Sequence, residues 1–316
     1  MKKNNRIMKP VEDCYIKVKS DCFKFIFSQE TKKEKFKNKD RMLKKFLIPF
    51  CFWIKSKVNK KKPFILGLAG GQGTGKTTVT SIVSIILIKY FNLNVFKISI
   101  DDFYKTRKER YMLSKKIHSL LMTRGVPGTH DTKIIYNFLK AVKKNNFKKI
   151  NVPKFDKSID DRAPKNTWYK INKRPDVIIL EGWCVGARAQ KNSDLKKPIN
   201  SLESSKDNWF KWRKFVNMKL QKEYKKIFSQ LNSLIYLKAK NFKILQEWRL
   251  KQEKKLWLKA KKKKNLKIMS KGDVINFMQT YQRITQNMFK DAPKYASIIF
   301  KLDSKHQINS AIYKKK

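Results

Sequence analysis

An open, mainly parallel α/β sheet with helices on both faces is the fold class the sequence predicts, and three observations predict it. Short apolar runs, from "FILGLA" to "ASIIFKLD", alternate with stretches of helical periodicity, the order that builds crossover units and a parallel sheet. The run "PDVIILEG" (175–182) is apolar almost throughout, as a strand covered on both faces must be. The glycine-rich turn "GGQGTGKT" joins the first strand to an apolar helix, a junction that doubly wound sheets use to bind phosphates. With 316 residues, 41% of them hydrophobic, the chain can build one large domain with an appendage.

Residues 1–60 read as a basic, partly helical N-terminal extension, polar and lysine-rich, with an apolar helical stretch at 41–58. It either packs on the main domain or supplies a lid. Pro63 marks the boundary, and 61–316 form the main domain. "FILGLA" is the first strand, 77–90 a helix despite its β-branched residues, and "NVFKISI" the second strand. A helix is expected around 132–145, and "KINVPKFD" reads as an edge strand or hairpin limb. After the strand 175–182, residues 193–207 are polar and loop-like. Helical patterning returns at 209–228, "SLIYLKA" is another strand, and 242–259 a charged helix. "KGDVINFMQTYQRITQNMF" is an amphipathic helix, and "ASIIFKLD" is expected as the last strand. No internal repeat is evident.

Charge is the loudest compositional fact: 77 basic residues face 24 acidic ones, a formal +53. Lysine is spread through almost every segment and is densest in "NKKKP" and "KAKKKKNLK". That distribution points to a solvated surface and compositional bias, with no specific nucleic acid or membrane as partner. Four scattered cysteines, Cys14, Cys22, Cys51 and Cys184, lack metal-ligand spacing. The longest apolar run, "FLIPFCFWI", is far short of the ~20 residues that span a bilayer. The N-terminus has no secretory signal pattern, so a cytoplasmic protein is expected. Oligomeric state has no signature in the sequence.

"GGQGTGKT" matches G-x-x-x-x-G-K-[ST] in full, with a strand before it and a helix after it. The fold class is therefore that of a P-loop NTPase, with lid elements. Gly70, Gly71, Gln72, Gly73, Thr74, Gly75, Lys76, Thr77 and Thr78 would hold the nucleotide. Glycines let backbone amides turn inward as an anion nest, Lys76 bridges the β- and γ-phosphates, and the Thr77 hydroxyl holds Mg²⁺. The second strand delivers Asp101 and Asp102 to the same sheet edge. One carboxylate there can take a proton from a hydroxyl nucleophile or contact the metal; Asp102 can equally cap the next turn. Glu181, ending "VIILEG", is the second Mg²⁺ position.

"DDFYKTRKER", "RGVPGTHD", "PKFDKSIDDRAP" and "LEGWCVG", in this order after the nucleotide loop, resemble the D-glycerate 3-kinase family, allied to the uridine, pantothenate and ribulose-phosphate kinases. The resemblance spans about 45–302, with weaker echoes at "EWRLKQE" and "FMQTYQRIT". It implies ATP- and Mg²⁺-dependent phosphorylation of D-glycerate to 3-phosphoglycerate. By analogy Asp101 is the base, with Thr77, Glu181 and Asp101 around the metal. Cys184 stands where another apolar residue is common, and the first forty residues match no family pattern.

Glycerate demands a fixed cation for its carboxylate, best an arginine fork, and Arg124, Arg162 and Arg188 are the candidates. His130 and Asp131, in a loop stiffened by Gly125, Pro127 and Gly128, could hydrogen-bond substrate hydroxyls. Arg162 and Arg249 could instead neutralise the transferring phosphoryl group, or simply pair with Asp161 and Glu253 on the surface. Tyr104 and Trp183 would shape the pocket wall. Two other readings stand beside this one. One is a related kinase of a nucleoside, pantothenate or a sugar phosphate. The other is a nucleic-acid-binding NTPase, for which no recognition signature appears.

Overall fold

The computed structural model describes residues 2–31, 35–59, 61–260 and 270–314; the lysine run "KAKKKKNLK" (259–267) lies outside them from 261 on. The chain opens with α1 (Lys2–Gln29), then α2 (Lys39–Met42), a π-helical turn (Leu43–Leu47) and α3 (Ile48–Lys57). The body follows as β1 (Phe64–Gly70), α4 (Lys76–Lys89), β2 (Val95–Ser99), a 3₁₀ turn (Ile100–Phe103), α5 (Arg107–Lys116) and α6 (Thr132–Ala141). Four short strands come next: β3 (Ile150–Val152), β4 (Phe155–Asp156), β5 (Asp161–Arg162) and β6 (Tyr169–Ile171). Beyond β7 (Val177–Gly182) lie α7 (Asn192–Lys196), α8 (Ser201–Lys206), α9 (Lys211–Lys219), α10 (Lys225–Phe228) and β8 (Ser233–Lys238). The remainder is α11 (Phe242–Ala260), α12 (Lys271–Tyr295), β9 (Ile298–Leu302) and β10 (Ile308–Tyr313).

The main sheet runs β10-β9-β8-β1-β7-β2, parallel except for β10, which is antiparallel to β9. β1 and β7 are buried at every residue, as their unbroken apolar sequences require. Alternation splits their side chains between two cores. Leu66, Leu68, Val177 and Ile179 face α1, α3 and α4, while Ile65, Ala69, Ile178 and Leu180 face α6, α9 and α12. The strand "ASIIFKLD" is therefore not the last. β10 ("INSAIY") escaped the sequence reading because it is a mostly solvent-facing edge with two polar residues in its middle.

Register positions the site. Gly67 pairs with Leu180, Leu68 with Glu181, and Ser99 with Glu181. The carboxyl ends of β1, β7 and β2 thus lie side by side, and each carries one chemical group: the glycine turn, Glu181 and Asp101.

Two segments differ from expectation. α1 was unread because its apolar residues, Cys14, Val18, Cys22 and Ile26, recur only every fourth position in a lysine-rich background. All four are fully buried in the core cluster that holds α3 and α4. Trimming Ile26 to Ala is expected to destabilise the whole fold by about 2–4 kcal/mol in denaturant titration, because its cavity opens in the core. The polar stretch 193–207 is two short helices rather than a loop. Its Glu203 accepts from Arg283 at 2.6 and 2.7 Å, and its Asp207 pairs with Arg213 at 2.9 Å, all four residues buried. Charges inside need partners, and these are supplied by α9 and α12.

Candidate active site

The glycine turn leaves β1 at Gly70 and opens α4 at Lys76. Gly73 and Gly75 both have φ of 80°, a conformation other residues adopt only under strain. Thr74 Oγ1 donates to the Gly71 carbonyl at 2.8 Å, and Lys76 Nζ folds back onto the same carbonyl at 3.0 Å. Burial lowers the Lys76 pKa, against the pull of Glu181 and Asp101, which raise it. Both acids therefore act on this ammonium through space, although 104 residues of chain separate Thr77 from Glu181. Thr77 Oγ1 donates to Glu181 Oε1 at 2.8 Å. The other oxygen, Glu181 Oε2, is buried with no partner.

Asp101 sits on the 3₁₀ turn after β2, held by the Ser99 cap. Tyr104 Oη donates to its Oδ1 at 3.0 Å and Lys157 Nζ to its Oδ2 at 2.9 Å. Burial raises the carboxyl, but Lys157, His130 and the Tyr104 hydroxyl together bring the pKa below the ordinary aspartate value. The carboxylate is therefore charged at neutral pH and free of a proton, the state in which it can accept one from an alcohol. Asp102 points to a different job. Its Oδ2 accepts from Ser99 N at 3.3 Å and its Oδ1 from Phe155 N at 3.4 Å. It caps the turn, and burial pushes it up to about 6.

The wall behind Asp101 is aromatic. Tyr104 stacks on His130 at 4.4 Å between centroids and meets Phe155 edge-on at 5.2 Å. His130 is fully buried; its Nδ1 lies 2.6 Å from Tyr224 Oη, and its Nε2 has no partner. Burial lowers its pKa to about 4, with Asp101 opposing, so the ring is neutral at physiological pH. A histidine whose folded pKa is depressed gives stability present above its unfolded value, ~6.5, and lost as pH falls toward 4. His130→Gln should flatten that acid limb by up to about 3 kcal/mol relative to wild type in chemical denaturation between pH 6.5 and 4.

Asp131 caps α6 through Ile134 N and receives Arg162 Nη2 at 3.4 Å. Arg162 also donates to the Tyr104 carbonyl at 3.2 Å, and its buried Nε has no partner. Asp161 is not the partner of the guanidinium: its Oδ1 accepts from the backbone N–H of Arg162 and of Arg107. Arg124 pairs with Asp160 and lies 5.5 Å from the Phe155 ring centroid. Trp183 Nε1 donates to the Gly125 carbonyl at 3.0 Å and its ring meets Tyr281 edge-on, fixing the loop that carries Arg124. Tyr281 in turn engages the Gln72 side chain, and Thr78 lies in the first turn of α4 beside the loop. Arg249 pairs with Glu253 one helical turn on, a largely buried pair rather than a surface one, and its backbone passes close to Gly73.

Arg188 does not belong to this site. Its guanidinium stacks on Tyr295 at 3.6 Å and lines a cavity of about 710 Å³ with Ser229, Asn232 and Ser233. Ser233 starts β8 and pairs with Leu66, four residues before Gly70, so the cavity opens at the opposite end of the sheet. After β7 the chain doubles back under the sheet, a reversal no local pattern in "LEGWCVGARA" announces.

Four contributors were absent from the sequence reading. Tyr224 accepts from Gly128 N at 3.1 Å and contacts His130. Trp248 and His306 stack at 4.2 Å against the turn, close to where side chains on Gly73 and Gly75 would project. Lys157 is the fourth.

A Schizosaccharomyces pombe protein, the uncharacterized kinase mug58, is 34% identical over 256 residues, covering 78% of this chain and 85% of its own. The chloroplastic D-glycerate 3-kinase of Arabidopsis thaliana is 28% identical over 226 residues, 66% of this chain. The chain belongs to the P-loop kinase family that includes D-glycerate 3-kinase. The match spans about half the length of the Arabidopsis protein, 47%. A solved D-glycerate 3-kinase from Cryptococcus neoformans superposes with a TM-score of 0.69 over 85% of this chain and 97% of its own, at 22% identity; that likeness speaks to the fold. No family model matches the chain. Among the described residues no helix is long and apolar enough to cross a membrane.

P-loop kinases use ATP, generally with Mg²⁺, and the residues of this kinase fit both. Mg²⁺ is held by one or two protein oxygens and completed by phosphates and water. The described residues contain no cluster of three or more acidic, His or Cys ligands, yet Glu181 Oε2 stands buried and unpartnered beside the Thr77 hydroxyl. That is a donor set for a hard cation whose other ligands arrive with the nucleotide.

Proposed function

We propose that this kinase transfers the γ-phosphoryl group of ATP to a hydroxyl of D-glycerate, giving 3-phosphoglycerate. The observation that carries the reading is Asp101, a charged carboxylate coupled to Lys76 and paired with Lys157, with Arg162 bonded to the backbone carbonyl of its other partner, Tyr104. A small hydroxy acid suits that setting, since it brings a hydroxyl for the carboxylate and an anion for the cations. The turn's amides and Lys76 would cradle the phosphates, and Thr77 and Glu181 would hold Mg²⁺. When bound, the metal neutralises charge on the β- and γ-oxygens.

Asp101 takes the proton of the acceptor hydroxyl as the new P–O bond forms, and the bond from the γ-phosphorus to the bridging oxygen breaks, releasing ADP. Arg162, with its unpaired Nε, faces the transferring group. His130 and Asp131 bound the acceptor pocket. Residues 61–316 act as the kinase body, with 1–60 an extension packed on its back.

Pantothenate kinases are 30–33% identical to the chain over 38–40% of it, so pantothenate is the acceptor to test against. ATP consumption is measured with D-glycerate, pantothenate, uridine and ribulose 5-phosphate. D-Glycerate is expected to lead in kcat/KM by at least about 100-fold, with phosphorus NMR showing the 3-phosphate. A lead for any other acceptor contradicts the proposal.

A further inference from the structure

Both oxygens of Asp101 are taken before any substrate arrives, and their two partners differ in freedom. Tyr104, on Oδ1, is 3% exposed and clamped between His130 and Phe155. Lys157, on Oδ2, has a side chain 61% exposed. It rises from the turn between β4 and β5, strands of two residues each.

The far side of that turn is fixed. Asp160, at φ 55°, receives Arg110 at 3.0 Å and also pairs with Arg124, and Arg110 is fully buried. Arg110 further donates to the carbonyls of Met122 at 2.8 Å and Lys105 at 3.2 Å. The hairpin is therefore pinned at Asp160, and the Lys157 side chain is the part free to move.

An alcohol gives its proton to Asp101 through a carboxylate lone pair directed at it, and each oxygen keeps a second one beside its present partner. Lys157 is the partner able to swing aside and clear the approach. Once displaced, its ammonium stands within electrostatic reach of Lys76, which it repels, and it requires a new anion. The arginines nearby already have carboxylates: Arg124 has Asp160, and Arg162 has Asp131 with Glu109 at 3.9 Å.

We propose that Lys157 determines acceptor specificity: the acceptor exchanges partners with the Lys157–Asp101 ion pair, its hydroxyl taking Asp101 and its carboxylate taking Lys157. The inference rests on the glycerate reading and sharpens it, for it demands a hydroxy acid and disfavours the matching neutral alcohol. The segment "PKFDKSIDDRAP" was singled out by its resemblance, but nothing in the sequence gave its lysine a role.

The test compares wild type, Lys157→Met and Lys157→Arg on D-glycerate and on glycerol, which has the same carbon skeleton without the carboxylate. Calorimetry of D-glycerate binding to the enzyme with Mg²⁺ and a non-hydrolysable ATP analogue is run in parallel. Lys157→Met should raise KM and Kd for D-glycerate about 10- to 100-fold and lower the glycerate-to-glycerol ratio of kcat/KM by a similar factor. Lys157→Arg should recover most of both.

An equal loss on the two acceptors with D-glycerate affinity intact overturns the proposal and moves Lys157 to the transferring phosphoryl group. No change in either readout overturns it as well, leaving a surface ion pair. The calorimetric arm decides if glycerol turnover is too slow to measure. Wild type that neither binds nor turns over D-glycerate would overturn the acceptor assignment itself, a result read without any variant.

Discussion

Asp101→Asn lowers kcat about 10³-fold while Mg·ATP affinity stays within about threefold of wild type. The amide keeps the shape of the carboxylate and can still accept from Tyr104, so the turn after β2 is preserved. What disappears is the charge that Lys157 neutralises and the site for the hydroxyl proton. On this proposal nucleotide binding would rest on the amides of 70–77 and on Lys76, and no hydrogen bond to Asp101 is among the contacts described for them. Asp102 offers no rescue, since both its oxygens are engaged by backbone N–H groups. Steady-state kinetics with a nucleotide-binding titration checks the result; near-normal turnover removes Asp101 as the base.

Glu181→Gln separates activity from stability. The amide oxygen still accepts from Thr77, and relief of a buried carboxylate oxygen that has no hydrogen-bond partner among the described residues offsets the attraction lost to Lys76. Thermal unfolding without ligand should therefore stay within a few degrees of the wild-type temperature. Turnover should fall by about 10²–10³-fold, with half-saturation by Mg²⁺ displaced upward, because the oxygen left open for the cation is gone. A residue with only a structural role would move the other way, losing stability first.

The nucleotide half of the site was legible because its parts are contiguous. A phosphate nest needs glycines at fixed offsets, a lysine and a hydroxyl, and these must lie between a strand and a helix. Glu181 and Asp101 were legible for a related reason: each ends an apolar strand, and parallel strands share an edge. The acceptor half is assembled from segments far apart, and its reading was mixed. Arg162 and Asp131 were anticipated as site residues, and the structure pairs them with each other. Arg188 was judged from the same kind of local setting, yet the chain reverses after β7 and carries it to the opposite end of the sheet. Asp102 looked like a second functional acid beside Asp101, but a short 3₁₀ turn needs a cap and takes it. Lys157, Tyr224, Trp248 and His306 gain their meaning from contacts across 56 to 231 residues of chain, which no window of sequence holds. The buried Glu203–Arg283 and Asp207–Arg213 pairs were hidden for the opposite reason: polar sequence reads as surface until its partners are known.

The most direct measurement is a crystal structure of the enzyme with Mg²⁺, a non-hydrolysable ATP analogue and D-glycerate. One glycerate hydroxyl is expected about 3 Å from Asp101 and in line with the γ-phosphorus, with the metal touching Thr77 and Glu181. Glycerate bound elsewhere, with Asp101 still closed by Tyr104 and Lys157 and Glu181 turned away from the metal, would contradict it.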